Sequence, residues 1–136
     1  TDEVSYEVMN NDENYISIVS LGYVYELGAH GMPYRYSYIF DTATGKKVSA
    51  AKLLGISKKQ LNEKVRSLYL EQFDKDPESG FYPSRDDVQS ALEDLDFNKN
   101  LYYLKDGKIY FYADPYVVGP YAAGFMEVSI DLEEKA

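Results

Sequence analysis

The chain has 136 residues, of which 45% are hydrophobic, and its formal net charge is −9. This length and apolar content predict one folded domain over residues 1–136, because a disordered chain lacks the apolar surface that offsets ordering entropy. The negative charge argues against nucleic-acid binding, since phosphate contacts require clustered Lys and Arg. No cysteine is present, which excludes disulfides, thiolate nucleophiles and cysteine-bound metals.

Three strands are predicted in the first third of the chain. Apolar residues alternate over 4–8 and over 15–27, as the two faces of a pleated strand require, and Asn and Asp at 10–12 are typical of a turn. These runs predict a hairpin. Tyrosines alternate again from 34 to 40, and the sequence at 41–45 ends in a glycine that suits a tight turn.

The middle of the chain carries two helix starts. Ser57 and Gln60 have the spacing of a capping box, and apolar residues follow at helical spacing over 61–73. Ser84 opens a second, shorter helix whose inner residues lie at 88–95 and whose outer face is acidic. We therefore expect two helices that each bury one apolar stripe.

The last third returns to strands. Asp106 and Gly107 separate β-prone runs at 101–104 and 109–113, which is a strong hairpin pattern, and residues 125–132 alternate as a closing strand. Strands, two helices and strands in this order predict an α+β fold, a mostly antiparallel sheet with two helices packed on one face.

Motifs for catalysis and cofactors are missing. The chain has one histidine and neither a nucleophile elbow nor a glycine-rich phosphate loop.

Residues 74–80 resemble a calcium loop only loosely, because the glycine falls one place late and Arg85 stands where the bidentate Glu belongs. A solvated acidic turn is the alternative. We expect no enzyme, no cofactor and no metal. The run 116–126 is too short to span a membrane.

Two unusual segments are candidates for partner contacts. His30 lies between glycines at the end of the long strand, where it could fix the loop by a hydrogen bond, contact a partner or bind a metal with ligands from elsewhere. The segment 114–124 combines two X-Pro bonds with tyrosines, so it is either a structured crossover or a rigid contact surface. The candidate partner-binding residues are Gly28, His30, Gly31, Pro115, Tyr116, Pro120 and Tyr121.

Charge is distributed unevenly along the chain. Residues 1–34 contain six acids without Lys or Arg, and residues 71–96 contain nine acids against Lys75 and Arg85. This pattern fits either a surface kept from associating by its net charge or an acidic docking face.

Four segments in order resemble the RsiV-like C-terminal domain. They are the glycine-flanked Ala-His-Gly at 28–31, the Phe-Asp turn ending in Gly-Lys at 40–46, the Leu pair at 53–54 and the Pro-Tyr-Ala-Ala-Gly segment within 116–124. The resemblance covers nearly the whole chain. That family includes the extracellular part of a lysozyme-sensing anti-sigma factor, accessory domains of envelope polysaccharide deacetylases and many lipoproteins.

The resemblance implies a non-catalytic module of an exported bacterial protein. It implies that the chain is a fragment of a longer protein, held outside the cell and anchored to its surface. In one reading the module is a sensor that recognises a cationic protein such as lysozyme, which acidic segments would steer. In the other it binds peptidoglycan or another glycan beside a deacetylase domain.

Overall fold

The computed structural model describes residues 2–24, 32–115, 117–120 and 125–134. Its strands are β1 (Asp2–Asn11), β2 (Tyr15–Val24), β3 (Met32–Asp41), β4 (Tyr102–Lys105), β5 (Lys108–Ala113) and β6 (Met126–Asp131). Its helices are α1 (Ala50–Leu54), α2 (Lys58–Lys75) and α3 (Arg85–Glu93), and a 3-10 turn follows at Leu132–Glu134. The predicted α+β class is confirmed.

The strands form two antiparallel sheets of three strands each. The first sheet has the order β1-β2-β3 and the second has the order β4-β5-β6. The predicted opening hairpin is present, but its turn is formed by residues 12–14, whereas 10–12 were expected. The Asp12 carboxylate accepts the amides of Asn14 and Tyr15 at 2.8 Å each. Asp106 and Gly107 both have positive φ at the β4–β5 turn, as a tight two-residue hairpin requires.

All three helices begin at a serine. At α2, Ser57 Oγ accepts the Gln60 amide at 3.0 Å while Gln60 Oε1 accepts the Ser57 amide at 2.9 Å, so the predicted capping box is confirmed. Ser84 caps α3. The structure adds α1, capped by Ser49 and ended by Gly55 with φ of 68°. Five residues are too few for a helical apolar period to be recognised in the sequence.

The main core lies between the helices and the second sheet. Tyr69 of α2 is fully buried and stacks on Phe97 with ring centroids 5.8 Å apart, and Phe97 contacts Phe111 of β5 edge-on at 6.4 Å. The Tyr69 hydroxyl donates to the carbonyls of Phe111 and Met126. The helix α2 is therefore fixed to the second sheet by one aromatic stack and one buried hydroxyl.

The two sheets meet through the short edge strand β4, which lies against all three strands of the first sheet. The Leu104 amide of β4 donates to Ser17 Oγ of β2 at 3.0 Å, and both residues are buried. Because an edge strand has unpaired backbone groups, this serine supplies a partner that the sheet itself does not.

Replacement of Ser57 by Ala removes the acceptor for an otherwise unpaired helical amide, so Ser57→Ala should lower the free energy of unfolding by about 1 kcal/mol. The matched control is Ser67→Ala, which lies exposed in the middle of α2, where alanine is the better helix former. Urea denaturation of both variants checks the expectation. An unchanged midpoint for Ser57→Ala would contradict it.

Candidate functional site

A charged and aromatic cluster lies where the two sheets meet. Arg35 of β3 points toward the second sheet, where its Nη1 lies 2.7 Å from Oε2 of Glu127 on β6. The Arg35 guanidinium carbon lies 4.1 Å from the ring centroid of Phe125 and 4.9 Å from that of Tyr112. We call the set Arg35, Tyr103, Tyr112, Phe125 and Glu127 the Arg35 cluster.

Aromatic rings and partial burial strengthen this ion pair. The side chains of Arg35 and Glu127 are 21% and 28% exposed. A planar guanidinium over ring faces gains cation–π attraction, and partial removal of water reduces the screening of the pair. The pair joins residues 92 positions apart in sequence, so it ties the first sheet to the second.

Two tyrosine hydroxyls complete the hydrogen bonding of the cluster. Tyr103 donates to the Glu127 carboxylate, whose two oxygens both lie 3.0 Å away. The Tyr112 hydroxyl donates to the Asn100 carbonyl at 3.1 Å and lies 2.6 Å from Ser37 Oγ. Since Tyr112 has a single hydroxyl hydrogen, Ser37 is the donor in that second contact.

Burial keeps both phenols neutral. Burial raises the pKa of Tyr112 to about 12. Burial and then the Glu127 charge also raise the pKa of Tyr103 well above its usual range. Near neutral pH both hydroxyls therefore donate hydrogen bonds, and the chemistry that this cluster offers is a fixed cation, a fixed anion and neutral donors.

Two concave regions adjoin the cluster. A small cavity of about 90 Å³ is lined by Arg35 and Tyr103 together with Glu7. A larger open groove of about 740 Å³ runs between α2 and β6. Its charged lining residues are Glu71, Lys75, Asp76 and Glu127. Acids outnumber bases in this groove, so its potential favours a cationic group.

The sequence-predicted contact residues are only partly described. Gly28, His30, Gly31, Tyr116 and Tyr121 lie outside the described residues. Pro115 is buried and Pro120 is exposed. Of the predicted set, Pro120 is thus the one described residue that a partner could reach directly.

The described part of the 114–124 segment is held by the rest of the fold. Val118 is 1% exposed, and its carbonyl accepts the Tyr82 amide at 2.9 Å. Gly119 packs so closely that an added Cβ would lie 2.2 Å from the Gly80 carbonyl oxygen. Val118 and Gly119 are therefore packed against the rest of the fold.

The structure brings Arg35 and Phe125 together at 4.1 Å, guanidinium carbon to ring centroid. In sequence, Arg35 lies four positions after Gly31 of the predicted 28–31 loop, and Phe125 directly follows the predicted 114–124 segment. Sequence reasoning missed both residues. The available signal was a charge within a β-prone run, at Arg35 among the tyrosines of β3 and at Glu127 between the apolar residues of β6.

The acidic turn after α2 uses its carboxylates within the protein. Asp74 pairs with Arg85 at 2.9 Å, and this hydrogen bond lowers the Asp74 pKa. Asp76 Oδ1 accepts the Glu78 amide at 3.2 Å. Over the described residues, no group of three or more His, Cys, Asp or Glu side chains is arranged to hold a metal ion.

Comparison with protein families identifies the chain. The family described as "Protein of unknown function (DUF3298)" matches residues 52–133, which is more than half of the chain. The chain belongs to the DUF3298 family. The match includes four residues of the Arg35 cluster, while Arg35 itself lies in the sheet before it.

Two solved DUF3298 structures share the fold. A protein from Pseudomonas aeruginosa PAO1 aligns with a TM-score of 0.71 and 19% identity over 97% of this chain and 58% of its own. A protein from Bacteroides fragilis NCTC 9343 aligns with a TM-score of 0.69 and 20% identity, over 97% of this chain and 51% of its own. The chain thus spans little more than half the length of these relatives. No curated protein matches it.

None of the helices within the described ranges has the length and apolar content that a membrane span requires.

Asp114, which follows β5, provides a pH test of the site. Its Oδ1 is buried without a hydrogen-bond partner among the described residues. Burial raises the pKa of this carboxyl, and the Arg35 charge opposes that rise only in part. The folded state therefore holds this proton to a higher pH than the unfolded state, and stability falls as the pH rises through the folded pKa.

Asp114→Asn should consequently raise the thermal midpoint at pH 7, and the gain should shrink as the pH is lowered below the carboxyl pKa. The control is Asp106→Asn at the exposed β4–β5 turn, where Asn-Gly suits the same backbone geometry. Thermal unfolding at a series of pH values measures both variants. A gain that persists unchanged at pH 3, or a loss at pH 7, would count against a desolvated carboxylate.

Proposed function

We propose that the chain is a non-catalytic, RsiV-like binding module of an exported bacterial envelope protein, and that it recognises a cationic wall-degrading protein such as lysozyme. The binding end comprises the Arg35 cluster, and we propose that the sequence-predicted loops 28–31 and 115–121 add contacts to the same partner. In the full-length protein this end faces the cell exterior, and the protein is anchored to the cell surface.

The contact between Arg35 and Phe125 is the observation that carries this proposal. Its two residues lie 4.1 Å apart, guanidinium carbon to ring centroid, and follow in sequence the two segments that were predicted as candidate contact surfaces. A contact surface built from two separated segments on a rigid scaffold is common in protein recognition.

Charge supports a cationic partner. Carboxylates of Glu7, Asp114 and Glu127 surround the single guanidinium of Arg35, and Glu71 and Asp76 extend the acidic region along the groove. The whole chain has a net charge of −9. Such a distribution accelerates the encounter with a basic protein, while specific short-range contacts determine how long the complex lasts.

The cluster also suits binding better than catalysis. Its guanidinium stays charged at every physiological pH, and its tyrosine hydroxyls stay protonated there, since burial raises their pKa values still further above neutrality. These groups provide fixed hydrogen bonds and ring faces for a partner. Peptidoglycan is the second candidate ligand, because the same ring faces and donors could contact a sugar.

Surface plasmon resonance with a basic lysozyme tests the proposal. We expect binding whose association slows as salt rises, because exposed charges are screened beyond about 8 to 10 Å at physiological ionic strength. Tyr121→Ala should speed dissociation and weaken binding by about 2 kcal/mol, roughly thirtyfold, if this tyrosine is a binding hot spot. Tyr6→Ala, which changes an equally large side chain on the far face of the first sheet, should leave the affinity unchanged.

The contradicting outcomes are distinct. Absence of binding to any basic lysozyme at micromolar concentration would remove the lysozyme proposal. Binding that Tyr121→Ala and Tyr6→Ala weaken equally would remove the proposed end of the molecule. Binding of soluble peptidoglycan fragments in place of lysozyme would favour the glycan-binding alternative.

A further inference from the structure

The first sheet has an uncovered apolar face. We call it the outer face, and it consists of alternate residues of β1, β2 and β3 that point away from the Arg35 cluster. Its members with described side chains are Val4, Tyr6, Val8, Asn11, Ile16, Ile18, Ser20, Gly22, Tyr34, Tyr36, Tyr38 and Phe40. Four of them are large apolar side chains with more than half of their surface exposed, at 52% for Val4, 75% for Tyr6 and 58% each for Val8 and Tyr36.

In a sheet with one solvent-exposed face, apolar side chains usually point toward the core and polar side chains toward water. Here the buried face mixes polar Ser17, Ser37 and Arg35 with apolar Val19 and Ile39, while the outer face carries mostly aliphatic and aromatic side chains. An exposed apolar patch of this kind marks a surface that something else covers.

Local packing makes the outer face smooth and continuous. Gly22 has no side chain, and the Tyr34 ring of the paired strand occupies the space above it. Tyr34 and Tyr36 contact edge-on with ring centroids 5.6 Å apart, and Tyr38 stacks on Phe40 at 6.2 Å. At one rim the Lys47 ammonium lies 4.8 Å from the Tyr38 ring centroid.

The chemistry of this face favours a protein layer as its occupant. Apart from Asn11, Ser20 and the tyrosine hydroxyls, the side chains here are aliphatic or aromatic, and the aliphatic ones offer a glycan no hydrogen bond. Nucleic acid requires cationic groups. An aliphatic and aromatic surface is the kind that one layer of a domain presents to the next.

The dimensions favour a single helix. Three strands place the outer two about 10 Å apart, which equals the diameter of one helix with its side chains. A strand of ten residues is about 33 Å long, and a helix of roughly twenty residues has a similar length. One amphipathic helix along the strands would therefore cover the whole face.

We propose that the outer face is half of a second hydrophobic layer, which an amphipathic helix from additional residues of the same polypeptide completes. The alignments cover 97% of this chain but only 58% and 51% of the two solved relatives. Those relatives therefore contain enough additional residues to form such a helix. Since the outer face lies on the opposite side of the sheet from the Arg35 cluster, the covering helix leaves the proposed binding end free.

Cysteine labelling of the full-length gene product tests this inference, since residues 1–136 contain no cysteine of their own. Val8→Cys and Val4→Cys each place a small thiol on the outer face. Ser129→Cys, at an exposed position of β6, is the matched control. Labelling with N-ethylmaleimide is followed by mass spectrometry of the cysteine peptide, in native buffer and in urea.

The covered face should slow labelling at residues 4 and 8 by about 100-fold or more relative to the unfolded protein, whereas Ser129→Cys should be slowed less than about tenfold. Protection should also survive about 100-fold dilution, because an intramolecular contact does not depend on concentration. Equal rates at positions 4, 8 and 129 would overturn the inference. Protection that is lost on dilution would also overturn it, because the face would then be covered by a second copy of the chain. A gene product with no residues beyond 1–136 would overturn it as well.

Discussion

The ion pair between Arg35 and Glu127 is the contact on which the arrangement of the two sheets depends. Each sheet has three strands, and the buried face of the first combines serines and an arginine with Val19 and Ile39. A guanidinium that is largely removed from water must be paired, because an unpaired charge out of water is strongly destabilising. Glu127 and three ring faces meet this requirement, and the Tyr103 hydroxyl donates to the Glu127 carboxylate. The pair is partly exposed, so its contribution lies between that of a surface pair and a buried one, at about 1 to 3 kcal/mol.

The buried face and the outer face of the first sheet differ in composition, and each composition has a structural consequence. A polar interface gives the two sheets one relative position, since each donor must meet its acceptor, as the Leu104 amide meets Ser17. That fixed position places Arg35 of β3 against Phe125. The opposite face carries Val4, Tyr6 and Val8 and is suited to structural packing. The proposed recognition and the proposed covering helix thus use opposite faces of the same sheet.

The sequence predicted individual helices and hairpins better than it predicted how they assemble. Ser57 with Gln60 predicted a helix start, and Asp106 with Gly107 predicted a hairpin, because each depends on residues within four positions of one another. The division of the strands into two sheets could not be predicted, since strand pairing across the helical region is non-local. The Arg35 cluster escaped sequence reasoning for the same reason, because Arg35 and Glu127 are 92 positions apart. Their sequence signal is a charge inside each of two β-prone runs, and nothing local links the two.

A double-mutant cycle between Arg35 and Glu127 measures the central contact most directly. Arg35→Met, Glu127→Gln and the double variant are compared with the parent chain by urea denaturation, and the coupling energy is the departure from additivity. If the pair joins the two sheets, the double variant should be more stable than the sum of the single losses predicts, by about 1 kcal/mol or more. Additive losses would show that the two side chains do not interact, and would contradict the central role of the Arg35 cluster in joining the sheets.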